Sequence, residues 1–256
     1  MTVKLSKTLR SLIHGGRVVY KLDNVMVSDT KRAWVGNQFI KIDSKYRESK
    51  KERDAFYIGT AFGLDRVKYH VDKCIYHGKI HNCCVCTNFL DKDEELITLS
   101  DMLNRCNVII PMNRTSEEYF NLVCKCIYSY TGLDAREWLM NLIVFDFLIA
   151  NSDRTMSDIG FIRGNNEGFR FAPIYDNGMA FFGTDSEMSL KQLKERSLSF
   201  KSKPFSKNPR LNLINIDIAR KIAYRYKHSF YGKLDGSYDI LDSRKLLLQF
   251  RFNLLG

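Results

Sequence analysis

A chain of 256 residues with 45% hydrophobic and 12% aromatic content is long enough to bury a sizeable core and too apolar to be disordered. The net charge of +11 comes from Lys and Arg spread along the sequence, denser at 45–53 and 201–210, and no helix-turn-helix, zinc-finger or RNA-binding signature accompanies it. The most apolar stretch, residues 138–150, contains Asn141 and Asp146 and is too short to span a bilayer, and the N-terminus lacks an apolar signal core, so a soluble, cytoplasmic protein is expected, with neither membrane nor nucleic acid as direct ligand.

Taken in chain order, Gly15-Gly16-Arg17 precedes the first alternating segment and could cradle phosphates through backbone N–H groups, although a plain turn explains it nearly as well. RVVYKL (17–22), NVMVSD (24–29) and NQFIKID (37–43) alternate apolar and polar residues and read as strands. ESKKERDAFYIGTAFGLD (48–65) reads as a helix with Ala55, Ile58 and Phe62 on one face and Gly63 as its stop. VKYHV (67–71), KCIYH (73–77) and HNCCVCTNFL (81–90) read as further strands, and the acidic turn DKDEE (91–95) closes this half. Cys74, His77, His81, Cys83, Cys84 and Cys86 cluster without the two separated ligand pairs that zinc sites use. In a strand the adjacent Cys83 and Cys84 point to opposite faces, so reduced, core-filling thiols are expected.

Beyond residue 96 the period becomes helical. SEEYFNLVCKCIYSYTG (116–132) is one helix. A second opens with Asp134 and Glu137 in a capping-box arrangement and carries Trp138, Leu142, Phe145 and Ile149 as its core stripe. IGFIR (159–163), the turn GNNEG and FRFAPI (169–174) form a hairpin. Helices are expected again in SLKQLKER, INIDIARKIAYRYKHSFYG and DILDSRKLLLQFRFNLL. The fold class is therefore α+β: a strand-rich half with one helix over 1–90, then a mostly helical half over 91–256.

Three acids sit at element ends in this layout. Asp153 follows the central helix, Asp158 precedes the hairpin and Asp176 follows it. A hairpin returns the chain to its start, which should bring Asp158 and Asp176 face to face with Asp153 nearby. Three carboxylates in one small volume repel unless a cation such as Mg²⁺ sits among them.

NSDRTMSDIGF (151–161) followed by FAPIYDNGMAF (171–181) resembles the core of HipA-like serine/threonine kinases. That family carries D-x-H-x-x-N, a hairpin, then Pro and an aromatic before a metal-binding Asp. SKPF (202–205) is similar to a segment downstream in the same kinases. The resemblance implies a bilobed kinase fold that uses ATP and Mg²⁺. Asp153 would take the proton of the attacking hydroxyl, and Asp158 and Asp176 would hold the metal. Lys41 would contact the phosphates and Glu52 would pair with it, with Glu48, one turn earlier, as the alternative partner. The resemblance also implies a protein substrate, such as a translation component, and an antitoxin partner. Two positions depart from the pattern: Thr155 stands at the family's His, and Asp158 at its Asn. A pseudokinase, a lipid or small-molecule kinase and a basic nucleic-acid-binding module are the competing readings.

Overall fold

The period-2 segments of the first third condense into one curled sheet, and the helical segments of the rest pack around a buried helix. The structure is a computed structural model, described for residues 12–14, 17–22, 25–28, 31–45, 47–109, 116–164, 168–183, 189–200 and 242–255. Gly15, Gly16, the SKPF segment and the helix expected at INIDIARKIAYRYKHSFYG lie outside the described residues.

Strands β1 (Leu12–His14), β2 (Arg17–Lys21), β3 (Arg32–Val35), β4 (Gln38–Ile42), β5 (His70–Tyr76) and β6 (Lys79–Thr87) form one sheet in the order β1-β2-β5-β6-β4-β3. The strand expected at 24–29 does not form over its described part, residues 25–28. Ser28 instead closes a turn: its amide donates to the Arg32 carbonyl and its hydroxyl accepts from the Arg32 amide. The strand beside β4 is β3, pairing Arg32 with Lys41 and Trp34 with Phe39. The two segments expected at 67–71 and 73–77 join as the single strand β5, with Val71 and Asp72 both in the ladder. Cys83 packs with Leu22, Ile40 and Ile42, whereas Cys84 and Cys86 pack with Val67 and Tyr69, so neighbouring cysteines do serve opposite faces.

Helix α1 (Glu48–Ala61) packs against β5 and β6. Ala55, Ile58 and Phe62 are buried as expected, but so are Glu48, Ser49, Lys51, Glu52 and Asp54. One side of α1 therefore faces a polar interior that apolar periodicity does not register.

The chain then enters β7 (Glu95–Thr98), which pairs with β8 (Gly160–Arg163), itself paired with β9 (Phe169–Phe171). The β8–β9 hairpin matches the expectation. β7 was read as the start of the helical half, because four residues carry too little pattern when their partner is distant in sequence. Helices α2 (Leu99–Arg105), α3 (Ser116–Thr131), α4 (Arg136–Leu148), α5 (Leu190–Ser199) and α6 (Asp242–Leu255) follow. The capping box expected at Asp134 and Glu137 is absent: α4 begins after Ala135, Asp134 accepts the Arg136 amide at 3.1 Å, and Glu137 falls in the first turn too early to reach back. α4 is buried from Leu139 through Leu148 rather than along one stripe, as an element surrounded on all sides must be. Its side chains join those of α1, α2, α3, α6, β7 and β8 in the largest apolar cluster.

Between α1 and β5, Arg66 forms a parallel bridge with Ile174. Val67 donates to the Ile174 carbonyl, and Ile174 donates to the Asp65 carbonyl, each at 2.9 Å. None of the described helices is long and apolar enough to cross a membrane.

Candidate active site

A cavity of about 310 Å³ opens where β3 and β4 meet the end of β6, β7 and the residues flanking the β8–β9 hairpin. Part of its wall is apolar and aromatic: Trp34, Phe39, Tyr69, Phe89 and Leu96 line it. Trp34 and Phe39, a cross-strand pair, have ring centroids 5.1 Å apart. Cys86–Leu90, at the end of β6 and just beyond it, lies along this wall. Another part of the wall is charged, formed by Arg32, Lys41, Glu52, Asp158 and Asp176.

Lys41 organises the charged wall. β4 points it inward, where Nζ lies 2.8 Å from Asp176 Oδ1 and 3.5 Å from Glu52 Oε1. The partners are 135 and 11 residues away, so one ammonium joins the strand, the helix and the segment after the hairpin. Glu52, not Glu48, is the acid paired with Lys41. Glu48 instead accepts from the amide and hydroxyl of Ser44. Burial works against the Lys41 ammonium, but Glu52 and Asp176 outweigh it and raise its pKa. Burial likewise favours the protonated form of Asp176, but Lys41 and Arg32 outweigh it and hold the carboxyl below its ordinary value. Arg32 Nη2 lies 2.9 Å from Asp176 Oδ2, so each carboxylate oxygen of Asp176 faces a cation. Glu52 Oε2 accepts the Asn177 amide at 2.8 Å.

Backbone geometry supports the same junction. Asp176 has φ 55°, a left-handed conformation that Asp tolerates better than most residues. A Cβ on Gly178 would lie 2.9 Å from both Lys41 Nζ and Glu48 Cβ, so only glycine lets α1, β4 and this segment meet.

Below this junction lies a second centre. Arg154 is 1% exposed and Asp146, on α4, is fully buried. The guanidinium meets both Asp146 oxygens, Nε to Oδ2 at 2.9 Å and Nη2 to Oδ1 at 3.0 Å. Nη2 also donates to Asn177 Oδ1 at 2.6 Å, and Nη1 to the carbonyls of Tyr175 and Asp158. Burial lowers the Arg154 pKa, but Asp146 more than compensates and the net shift is upward. The bidentate fork therefore ties α4, the 151–158 loop and the segment after β9 together.

The three acids singled out by spacing are held differently. Asp176 is in the cation-paired junction. Asp158 lines the same cavity, with Oδ2 accepting from the Thr155 amide at 2.9 Å and the Thr155 hydroxyl at 2.7 Å. Burial raises the Asp158 pKa, opposed by those Thr155 hydrogen bonds. Thr155 Oγ1 accepts in turn from Ser157 N, a capping box around the single turn Met156–Asp158. The two departures from the kinase pattern, Thr155 and Asp158, are thus partners of each other. Asp153 is exposed and does not line the cavity. The expected gathering of three carboxylates is corrected accordingly: among the described residues no three His, Cys, Asp or Glu side chains are grouped to hold a metal ion. The repulsion that seemed to call for a metal is relieved by Lys41, Arg32 and Thr155. In the sheet, β1 and β2 stand across β5 and β6 from β4 and Lys41. The turn that approaches Lys41 is the one at Ser28–Arg32, through the Ile42 amide on the Lys31 carbonyl.

Searches with the sequence match no family model and no curated protein. The fold does have solved relatives. The crystal structure of the Helicobacter pylori proinflammatory kinase CtkA aligns over 93% of this chain and 94% of its own, at 16% identity and a TM-score of 0.66. The chain has a kinase fold. HipA of Shewanella oneidensis MR-1, solved with HipB and operator DNA, aligns over 91% of this chain but only 61% of its own, at 12% identity and a TM-score of 0.46. The α+β class expected from the order of strands and helices agrees with the CtkA match.

Sequence reading missed Arg32, Arg154, Asp146, Asn177 and Gly178. One signal was available. An acid inside an apolar helix has to be buried with a cation, and Asp146 in WLMNLIVFDFLIA asked for one. Arg154, next to Asp153, was the candidate in reach. Arg32 carried no such signal, because its partner lies 144 residues away.

Proposed function

We propose that the chain is an ATP- and Mg²⁺-dependent protein serine/threonine kinase of HipA type. The observation that carries this reading is the Lys41–Glu52–Asp176 junction at the charged wall of a cavity whose other wall is aromatic. A flat base fits the side of Trp34, Phe39 and Phe89, and the phosphates fall toward Lys41 and Arg32. Lys41, held by Glu52, supplies a fixed positive charge to the α/β-phosphates. Asp158 and Asp176 are the residues that would hold Mg²⁺. The donor set suits it, with all-oxygen ligands and Asp158 Oδ1 free of hydrogen bonds among the described residues. Bound there, the ion would neutralise charge on the phosphates. Asp153, which is exposed, would orient a hydroxyl brought by another protein and accept its proton, the role that the sequence resemblance implies. Such exposure suits a large substrate better than a small metabolite. A translation component as substrate and an antitoxin as partner follow from the sequence resemblance.

Purified protein with γ-labelled ATP and Mg²⁺ should label itself or a lysate protein. Equal labelling by Asp153→Ala would sink the reading. A second reading, a nucleotide-binding pseudokinase, is favoured by Thr155 at the family's His position and by Asp176 having both oxygens occupied. Nucleotide-induced thermal stabilisation without any transfer would establish it.

A further inference from the structure

Arg32 sits on β3, opposite Lys41 in the ladder, and belongs to none of the roles that the kinase pattern supplies. Three observations set it apart. Its Nη2 holds the Asp176 oxygen that Lys41 leaves open, at 2.9 Å. Its side chain is 41% exposed, unlike Lys41 at 12%, so the pair is screened and readily broken. Its Nε–H is buried and has no acceptor among the described residues. A guanidinium with one donor on a displaceable carboxylate and another unmatched is poised for a second acceptor.

We propose that Arg32 is an exchangeable counter-ion. In the nucleotide-free chain it stands in for the metal on Asp176. When metal and nucleotide enter, it transfers to the phosphates. The charges favour this exchange. Lys41, Arg32, Glu52, Asp158 and Asp176 carry two positive and three negative charges when ionised. A divalent cation arriving alone must compete with Arg32 for Asp176 Oδ2. A nucleotide triphosphate arriving with it offers Arg32 several anionic oxygens in the geometry that its planar fork prefers. Metal and nucleotide therefore bind with positive coupling, each helping the other to move Arg32. The proposal rests on the kinase reading of this cavity.

The test uses the full chain, Arg32→Gln, Arg32→Lys, and Mn²⁺ as a paramagnetic probe read by electron paramagnetic resonance. Nucleotide binding is read by Trp34 fluorescence, since the other tryptophan, Trp138, is stacked on Phe171 and does not line the cavity. Without nucleotide, Arg32→Gln should bind Mn²⁺ several-fold more tightly than wild type, because the competitor is gone. With metal present it should bind a non-hydrolysable ATP analogue about fivefold to tenfold more weakly, by the loss of one charged phosphate contact. Adenosine, which has no phosphates, should bind both proteins alike. Arg32→Lys should recover metal competition but only part of the ATP affinity. Unchanged Mn²⁺ affinity in Arg32→Gln, or an equal loss for adenosine and ATP, overturns the exchange while leaving the kinase reading intact. Failure of the wild type to bind ATP analogue at all overturns both.

Discussion

Two arginines approach the segment Tyr175–Gly178 from opposite sides, and they are built for opposite purposes. Arg154 is enclosed and bonds a buried carboxylate, a side-chain amide and two carbonyls. Arg32 is half-exposed, holds a single carboxylate oxygen and keeps one N–H unmatched among the described residues. The same side chain thus serves as scaffold in one place and as moving part in the other. What separates them is solvent and the number of fixed acceptors, not charge. A buried guanidinium cannot leave its partners without stranding a charge, whereas an exposed one trades them for water at little cost.

The largest test breaks the scaffold side. Arg154→Met leaves Asp146 buried and unpaired, which should cost about 3–5 kcal/mol, read as a shifted midpoint in denaturant unfolding. Arg154→Lys should recover little, because a point charge cannot match the fork on Asp146 and reach Asn177 as well. A loss below about 1 kcal/mol for Arg154→Met would show that the clamp does not hold the site.

Next comes the junction between the two arginines. Gly178→Ala introduces a methyl against Lys41 Nζ and Glu48. Overpacking of this kind costs about 1–3 kcal/mol. Because Lys41 is what moves, ATP-analogue affinity should fall more steeply than stability does. Equal falls would mean that the glycine serves packing alone.

The Thr155–Asp158 pair is a smaller, sharper probe. Thr155→Val removes both the hydroxyl's bond to Asp158 Oδ2 and the one it accepts from Ser157 N and should cost about 1–2 kcal/mol. In a double-mutant cycle with Asp158→Asn, a coupling of about 0.5 kcal/mol or more is expected, since the two residues touch. Asp158→Asn alone should keep substantial transferase activity, as the amide seen in the resembling kinases is restored, while Asp158→Ala should lose it. Full activity in the Ala variant would remove Asp158 from the metal site.

The smallest effect is on pH dependence. Burial, opposed by Lys41, pushes the Glu52 carboxyl up to about 7. The folded chain then keeps a proton that the unfolded chain has lost, so this contribution to stability is full at low pH and drains away as pH rises from about 4.5 to about 7. Glu52→Gln cannot titrate. The melting temperature of wild type minus that of the variant should fall across the same window, and a flat difference would argue against the shift.

What was legible in the sequence follows the same division. The hairpin, the helix α1 and the buried α4 could be read because period and spacing are local properties, whereas Lys41 was singled out through the resemblance. Glu52 was read as the partner of Lys41, with Glu48 as the alternative. Only the fold decides between them, by giving Glu48 to Ser44 and Glu52 to Lys41 and Asn177. The short strand β7 and the turn at Ser28 were missed because their partners or side-chain bonds determine them, not their propensity. The gathering of three carboxylates was overread. Sequence shows where acids fall but not which cations fold against them.

The bridge between Arg66 and Ile174 has a mechanical consequence. Backbone bonds run both ways across it, Val67 to Ile174 and Ile174 to Asp65. Two residues further on, Asp176 is tied through side chains, to Arg32 at 2.9 Å and to Lys41 at 2.8 Å. Hydrogen exchange should therefore find the Val67 and Ile174 amides slow, and fast exchange at both would show that the bridge opens readily.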